Sequence, residues 1–304
     1  MKTKLNLLFL APLLFSCSGE ETTTMDDSKQ VDVIIISGQS NGVGCTKSEE
    51  LMTTMGDEKY LEYRAGYKGI QIAYDCWTKD WPASGITFFS QNSSANGEFV
   101  KTALGQGNGY ATFGPEIGIA DYLHEEYDGR LFLIKFACGG SNLKDDWLGG
   151  NSPMYGRMIN FVKAQMNNLV KKGYSPTIKA FCWMQGEGDS YRGYYNYYLE
   201  NLRQFVGDIR ADLRDLAGGT DIPFIDAGIS DASVWEFYRE VNDAKKEFAK
   251  ESENNIFIDT IEEGLHTDQE PWYQPDIYHY DSDSEILLGK LFAQNFEQFL
   301  LKKQ

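Results

Sequence analysis

The chain has 304 residues, of which 42% are hydrophobic and 24% are charged, and its formal net charge is −17. This composition excludes an intrinsically disordered chain and is enough for one large domain or two small ones. The negative charge argues against nucleic acid or anionic lipid headgroups as partners, because either would require a basic face.

The N-terminal segment is predicted to be an export signal. Lys2 and Lys4 precede an apolar run over 5–15, which is too short to span a bilayer. The following letters, "LFSCS", resemble a bacterial lipobox, in which Cys17 is acylated and becomes the first mature residue. An ordinary signal peptide with a chance cysteine is the alternative. We therefore expect an exported protein that meets the membrane only through a lipid on Cys17, at the outer membrane of a Gram-negative bacterium.

Composition divides the chain into three predicted parts. A signal peptide occupies 1–17, and a flexible tether with almost no apolar residue occupies 18–30. A single domain is expected over 31–304. Within it, the stretch 45–112 is rich in glycine, aromatic and polar residues and has few periodic runs, so we expect a long loop excursion over the surface.

Short continuous apolar runs in the domain predict buried parallel strands, because a strand covered on both faces loses the alternation of apolar and polar residues. These runs span 31–37, 130–137, 179–184, 222–228 and 255–259. Apolar residues at helical spacing predict helices over 115–126, 156–172, 194–216 and 285–302. The alternation predicts an α/β fold: a three-layer α/β/α sandwich with an open, parallel, flavodoxin-like sheet of five strands.

Several candidate functional residues follow predicted strands directly. Ser40, in "GQSNG", follows the first strand, and Gly139, Gly140 and Gln185 follow later ones. Ligands of open α/β sheets bind beyond the carboxyl ends of the strands, so we expect these residues at one edge of the sheet. A serine placed there can be a nucleophile, although glycine, serine and asparagine also end strands for conformational reasons alone.

The chain contains only three histidines, so a catalytic base can be sought by elimination. His124 lies in a helical pattern, and His266 lies in a polar loop. His279, in "DIYHYDSD", is preceded by Asp276 at a spacing that can bring the carboxylate to one imidazole nitrogen. The other nitrogen is then free to face Ser40. Ser40, His279 and Asp276 are therefore the candidate catalytic residues.

Donors for a negatively charged oxygen are also available. The backbone N–H groups of Ser40 and of Gly139 or Gly140 can approach a ligand closely, since glycine carries no side chain. The side-chain amide of Gln185 is a further candidate donor. Glu187, two residues later, is an alternative to Asp276 for orienting the histidine, or it is only a helix cap.

The remaining cysteines, Cys45, Cys76, Cys138 and Cys182, match no zinc spacing, and we predict neither a metal nor an organic cofactor. Cys138 and Cys182 lie in apolar runs and are expected to be buried thiols. A disulfide between Cys45 and Cys76 is compatible with export but does not follow from the sequence.

The motifs together resemble the SGNH hydrolases, and within them the sialate O-acetylesterase-like, carbohydrate acetylesterase branch. The matching segments are "GQSN" at 38–41, "FGPE" at 113–116, "KFACGGSNLKDDW" at 135–147, "WMQGEGD" at 183–189 and "DIYHYDSDSEILLG" at 276–289. They occur in the expected order over nearly the whole mature chain. Met184 stands where related sequences often have histidine.

This resemblance implies a serine esterase that removes O-acetyl groups from carbohydrates through an acetyl-serine intermediate. It implies Ser40 as nucleophile, Asp276 and His279 as acid and base, and Gly139 or Gly140 with Gln185 as oxyanion donors. Glu187 stays a candidate for the acidic role. The expected partner is an acetylated oligo- or polysaccharide; xylan, pectin-like side chains and O-acetylated sialic acid all fit.

Aromatic residues in loop-like segments are candidates for stacking on sugars or for covering the core. They are Trp77, Trp81, Trp147, Trp272 and Tyr273. Two other functions are weighed against the esterase. A non-catalytic glycan-binding lipoprotein would not need all of the catalytic residue types together. A lipase or thioesterase would be expected to have more aliphatic loops than these.

Overall fold

The computed structural model of the protein describes residues 29–127, 130–149, 151–191 and 193–302. The predicted signal peptide, the lipid attachment at Cys17 and most of the predicted tether lie outside these ranges. Gln30, predicted as the last residue of the tether, is instead the first residue of a strand. No helix within the described ranges is both long and apolar enough to cross a membrane.

Strands and helices alternate from residue 116 onward, whereas four strands follow one another over 67–113. The strands are β1 (Gln30–Gly38), β2 (Thr46–Lys47), β3 (Tyr67–Asp80), β4 (Thr87–Ser93), β5 (Val100–Thr102), β6 (Thr112–Phe113), β7 (Leu131–Gly139), β8 (Ser175–Met184), β9 (Phe224–Ala227) and β10 (Asn255–Ile258). The helices are α1 (Ser40–Val43), α2 (Leu51–Thr54), α3 (Gly56–Ala65), α4 (Glu116–Leu123), α5 (Tyr155–Lys171), α6 (Tyr198–Leu213), α7 (Tyr238–Ala249) and α8 (Ser282–Lys302).

Eight of these strands form one sheet in the order β10-β9-β8-β1-β7-β3-β4, with β5 also paired to β3. Every neighbouring pair from β10 to β3 is parallel, whereas β4 and β5 run antiparallel to β3. The five predicted strands are the contiguous block β10-β9-β8-β1-β7, which has the strand order of a flavodoxin-like sheet. The predicted α/β class is therefore confirmed, but the predicted number of five strands is wrong.

The additional strands come from the stretch 45–112, which was predicted as a loop excursion. That prediction is wrong for β3, a strand of 14 residues that lies parallel to β7 and extends the sheet. Polar residues interrupt its apolar run at Lys68 and Gln71, and its side chains alternate between buried and partly exposed over several positions. This strand lies near the edge of the sheet, where one-sided burial is enough, so it lacks the continuous apolar run of a central strand.

Helices cover the sheet on both faces. Ile34, Ile35 and Ile36 are successive residues of β1, and each is at most 1% exposed. Successive side chains in a strand point to opposite faces, so both faces of β1 are covered. Helix α4 packs against α8, while α6 packs against α5 and α7. Helix α7 was not predicted, because its buried face includes the polar residues Asn242 and Lys245, which hide the helical period.

Candidate active site

Ser40 follows a sharp turn at the carboxyl edge of the sheet. Gly38 ends β1 with φ +143°, and a Cβ at this position would lie 1.9 Å from the Met184 carbonyl oxygen of the neighbouring strand β8. Only glycine fits there, so the chain can turn sharply and begin α1 at Ser40. In the sheet, β1 lies between β7 and β8. The chain adds β7 on one side of β1 and then β8, β9 and β10 on the other side, so Ser40, which follows β1, occupies the topological switch point where such folds bind ligands.

Asp276 and His279 form the hydrogen-bonded pair that their spacing predicted. His279 Nδ1 lies 2.7 Å from Asp276 Oδ2. The other carboxylate oxygen, Oδ1, accepts the backbone N–H of Tyr278 at 3.1 Å, which fixes the carboxylate within the loop. An ionised carboxylate only accepts hydrogen bonds, so Nδ1 carries the hydrogen and Nε2 of the neutral ring has a free lone pair.

Ser40 and His279 line the same cleft, which has a volume of about 630 Å³. No direct hydrogen bond joins the hydroxyl and the imidazole of these two described residues. Catalytic hydrogen bonds are often long before the substrate binds, so this separation is compatible with proton transfer in a complex. The structure therefore brings the three predicted catalytic residues to one site.

The electrostatic surroundings of His279 favour the protonated ring. Burial lowers the pKa of His279, but hydrogen bonds with Asp276 and with the Cys45 sulfur raise it by more, so its net pKa lies above the ordinary value. For Asp276, burial raises the pKa, and the hydrogen bond with His279 outweighs it, so the net pKa is lowered. The two shifts have the signs of an ion pair.

Glu187, the alternative acid, does not contact the imidazole. It is fully buried, and its Oε1 accepts a hydrogen bond from Asn41 Nδ2 at 2.7 Å. Asn41 Oδ1 in turn accepts the backbone N–H of Tyr280 at 3.2 Å. Burial is the main cause that raises the pKa of Glu187. The position beside the His279 ring therefore belongs to Asp276, and Glu187 holds Asn41, whose amide oxygen bonds the residue after His279.

A buried ion pair holds the end of α1, the short helix that begins at Ser40. Lys135, on β7, donates to Glu116 Oε2 at 2.7 Å and to the Val43 carbonyl at the end of α1 at 3.0 Å. Both charged side chains are fully buried. Glu116 belongs to the "FGPE" segment, and its Oε1 also accepts the N–H of Gly114 at 3.0 Å. This motif therefore holds the end of α1 and does not line the cleft.

Gly139 and Gly140 lie beside Ser40 as predicted. A Cβ at Gly139 would lie 3.9 Å from the Ser40 Cβ, so the two backbones approach closely. Gly140 has φ +72° and lines the cleft, and a Cβ there would lie 2.9 Å from the Trp81 ring. Both glycines therefore lie near Ser40, and Gly140 also lines the cleft.

Gln185 does not have the orientation that the oxyanion role requires. Its side chain is fully buried, and Nε2 donates to Asp189 Oδ2 at 2.6 Å and to Gln39 Oε1 at 3.3 Å. Its Oε1 lies 3.1 Å from the Tyr198 hydroxyl. Both hydrogens of the amide are thus engaged inside the protein, and Gln185 is not among the residues that line the cleft. The Gln185 amide, which was predicted to donate to the ligand, donates instead to Asp189, four residues later.

The cleft includes residues that the sequence analysis missed. Gln39 and Asn142 contribute amides, and Asp145 contributes a carboxylate. Lys79 also lines the cleft, but its Nζ is paired with Asp146 Oδ2 at 2.6 Å. The one signal in the sequence that could have indicated these residues was proximity: Gln39 is next to Ser40, and Asn142 follows Gly140 closely. The sequence alone does not tell which way these side chains point.

Aromatic side chains form much of the cleft wall. Those that line it are Trp81, Tyr191, Tyr194, Trp235 and Tyr278. Trp235 packs edge-on against Tyr191 and Tyr278, with ring centroids 5.7 Å apart in each pair. Of the predicted aromatic candidates, Trp81 lies on the wall and Trp147 is buried in the core. Trp77, Trp272 and Tyr273 do not line the cleft.

The cysteines of the described residues are all free thiols, so no disulfide joins Cys45 to Cys76. Cys138 and Cys182 are buried, as predicted. His266, Asp268 and Asp281 lie close enough together to ligate a metal ion. The Asp281 carboxylate is already bonded to His266 and to two backbone N–H groups, so the cluster is held by its own hydrogen bonds.

A serine at the switch point of an open α/β sheet, in one cleft with a histidine–aspartate pair, is typical of hydrolases that form an acyl-serine. The model of the family described as "Carbohydrate esterase, sialic acid-specific acetylesterase" matches residues 30–298 of the chain. The chain therefore belongs to this family of carbohydrate esterases, and the resemblance found in its motifs is confirmed.

Similar folds are present among solved structures. One is a protein from Arabidopsis thaliana, with 20% identity, a TM-score of 0.59 and alignment over 88% of this chain and 98% of that chain. Another is NanS, with 14% identity, a TM-score of 0.58 and alignment over 90% and 98% of the two chains. A carbohydrate acetylesterase from Xanthomonas citri has 12% identity and a TM-score of 0.53, over 88% of this chain and 56% of that chain. No curated protein matches the chain significantly.

Proposed function

We propose that the protein removes O-acetyl groups from carbohydrates, with Ser40 as nucleophile and His279 as general base and acid. The observation that carries this proposal is the shared cleft: Ser40 and the Asp276-bound His279 both open into it. Membership of a carbohydrate esterase family supports the same reaction class.

In the first half-reaction, Ser40 Oγ attacks the acetyl carbonyl carbon while Nε2 of His279 takes the hydroxyl proton. The carbonyl oxygen becomes negative, and the N–H groups of Ser40 and of Gly139 or Gly140 donate to it. The tetrahedral intermediate collapses by breaking the bond to the sugar oxygen. His279 returns the proton to that oxygen, and the sugar alcohol leaves.

In the second half-reaction, water attacks acetyl-Ser40 and His279 takes one of its protons. Collapse of the second intermediate regenerates the Ser40 hydroxyl with that proton and releases acetate. Asp276 keeps the hydrogen on Nδ1 in both steps and stabilises the imidazolium when it forms. The atoms balance without a metal or organic cofactor.

The cleft is better suited to a neutral sugar than to an acidic one. Among the described residues that line it, the basic side chains are Lys79 and His279, and each is already paired with a carboxylate, Asp146 and Asp276 respectively. Asp145 adds a negative charge to the same wall. Aromatic faces such as Trp81 offer stacking surfaces for sugar rings. We therefore favour an acetylated neutral polysaccharide, such as xylan, over O-acetylated sialic acid.

Acetate release from a panel of acetylated xylan, pectin-like glycans and O-acetylated sialosides tests this function. We expect release by the wild type, strongest on neutral glycans, and none above background by Ser40→Ala at an unchanged melting temperature. Binding of these glycans without any acetate release would instead support a non-catalytic glycan-binding protein. Faster hydrolysis of long-chain than of acetyl aryl esters would support a lipase or thioesterase.

The cellular position of the enzyme is a separate proposal. We propose that Cys17 is acylated and anchors the domain to the outer membrane, because the letters around it resemble a lipobox. Growth of an expressing bacterium with an alkyne-labelled fatty acid should label the wild-type protein and not Cys17→Ser. Label on both proteins, or on neither, would contradict the anchor.

A further inference from the structure

The hairpin of β3 and β4 extends past the carboxyl edge of the sheet and forms one wall of the cleft. Thr78 of β3 pairs with Gly139, the last residue of β7, and β3 continues to Asp80 before the chain turns back into β4. The turn carries Trp81 and Ile86, which both line the cleft and are 60% and 57% exposed. The exposed aromatic ring offers a face on which a sugar ring can stack.

The Trp81 ring is contacted on two sides by residues of the fold. Lys79 Nζ lies over the ring, 5.5 Å from its centroid, which is within the range of a cation–π interaction. The edge of the ring lies against Gly140, where an added Cβ would be 2.9 Å from Cη2. Trp81 is nonetheless mostly exposed, so these two contacts restrain the ring without covering it.

Lys79 is itself held by a buried ion pair. Its side chain is 4% exposed, and Nζ donates to Asp146 Oδ2 at 2.6 Å. The Asp146 side chain is equally buried, and the same oxygen accepts the backbone N–H of Asn142 at 2.8 Å. Separation of the pair would leave two uncompensated buried charges, so the pair joins the hairpin firmly to the loop that follows β7.

We propose that Lys79 is a positioning residue, which holds Trp81 in place as a preformed stacking site for a neutral sugar ring of the acetylated glycan. This inference rests on the proposed esterase function. Both ends of the connection belong to the cleft, since Gly140 and Asn142, in the loop bound by Asp146, also line it. A ring that is ordered before the glycan arrives loses less conformational freedom on binding. Lys79 should therefore affect the binding of sugars and not the proton transfers of the reaction.

Removal of the whole ion pair tests this role without leaving a lone buried charge. Lys79→Met/Asp146→Asn removes both charges, and the asparagine oxygen can still accept the N–H of Asn142. Loss of one cation–π contact weakens an interaction roughly two- to fivefold, so KM for an acetylated xylo-oligosaccharide should rise by this factor while kcat changes less. For an aryl acetate, which has no sugar ring, kcat/KM should fall less than for the oligosaccharide. If the double variant does not fold, Lys79→Gln, whose amide can still donate to Asp146, decides by the same measurements.

A mutant cycle with Trp81→Ala separates positioning from a direct contact with the substrate. If Lys79 acts through the ring, removal of the ion pair should not raise KM further once Trp81 is replaced by alanine. A further rise of the same size in that background would overturn the inference, and so would an unchanged KM in the double variant. An equal fall in kcat/KM for both substrates would do the same, because it would indicate a general disturbance of the site.

Lys59→Met is the matched control and should keep the wild-type KM. Lys59 also pairs with an aspartate, Asp121, at 2.7 Å and lies 5.0 Å from the centroid of the Tyr63 ring, but it does not line the cleft. Binding of an unacetylated xylo-oligosaccharide to Ser40→Ala, with and without the ion pair, repeats the test without turnover, and the dissociation constant should rise by the same factor. If the wild type releases no acetate, the proposed function fails, whereas an unchanged dissociation constant overturns the role of Lys79 alone.

Discussion

Two parts of the active site, the loop of Asp276 and His279 and the segment after β8, differ in how firmly the fold holds them. Asp276 and His279 lie on an exposed loop, and the carboxylate of Asp276 remains partly open to solvent. Gln185, Glu187 and Asp189, after β8, are fully buried and bonded to the nucleophile turn or to one another. The groups that transfer protons must reach the substrate, whereas the groups that orient the nucleophile must be held by the surrounding protein. The exposed side is therefore suited to chemistry and the buried side to holding Ser40 and its neighbours in place.

The largest expected effect comes from the exposed side. Asp276→Asn keeps the shape but reverses the hydrogen bond, so that the imidazole adopts the wrong tautomer; kcat should fall by about 10⁴-fold. The melting temperature should hardly change, since Asp276 is partly exposed. Steady-state kinetics and thermal unfolding measure the two quantities. A variant with wild-type kcat would remove Asp276 from the mechanism.

On the buried side, Glu187→Ala should act mainly on stability. It leaves the Asn41 amide without its acceptor, so the free energy of unfolding should fall by about 1–3 kcal/mol. Glu187→Gln retains an acceptor oxygen for Asn41 and should cost less. Urea unfolding of both variants checks this. If Glu187→Ala instead lost activity as completely as Asp276→Asn at unchanged stability, the roles of the two carboxylates would be exchanged.

A smaller effect, on substrate binding, is expected when an aromatic residue of the cleft wall is replaced. Trp81→Ala removes a ring that is 60% exposed on the cleft wall, so KM for an acetylated oligosaccharide should rise roughly two- to tenfold, with less change in kcat. Trp272→Ala is the control, because Trp272 is exposed but does not line the cleft. Equal effects of the two substitutions would show that the wall has no special part in binding.

The pH dependence sharpens the same comparison. His279 acts as a base only when neutral, so activity falls as the pH drops through its pKa. Because the net pKa of His279 in the free enzyme is raised, the acid limb of kcat/KM should lie above the ordinary histidine range. Asp276→Asn removes a cause of that rise, so the remaining activity should have its acid limb at lower pH. A limb that moves upward, or not at all, would contradict the assignment.

The features that could be predicted from the sequence were those carried by a continuous apolar run or by a fixed spacing of residues. The strand β1 and the Asp276–His279 spacing required no knowledge of distant contacts. β3 was missed because polar residues interrupt its apolar run. Gln185 was assigned to the ligand because no pattern tells that Asp189 binds its amide. Gln39 was missed as a residue of the cleft because its side-chain oxygen is held by the backbone N–H groups of Gly186 and Gly188, which are distant in the sequence.

The most direct test of the account is to find the residue that carries the acyl group. The enzyme is acid-quenched during turnover of an acetylated substrate, digested and examined by peptide mass spectrometry. The account predicts a single acetyl group on the Ser40 hydroxyl, absent from Ser40→Ala and accumulating if deacylation is the slower step. Active turnover with the acetyl group on another residue, or undiminished turnover by Ser40→Ala, would contradict it.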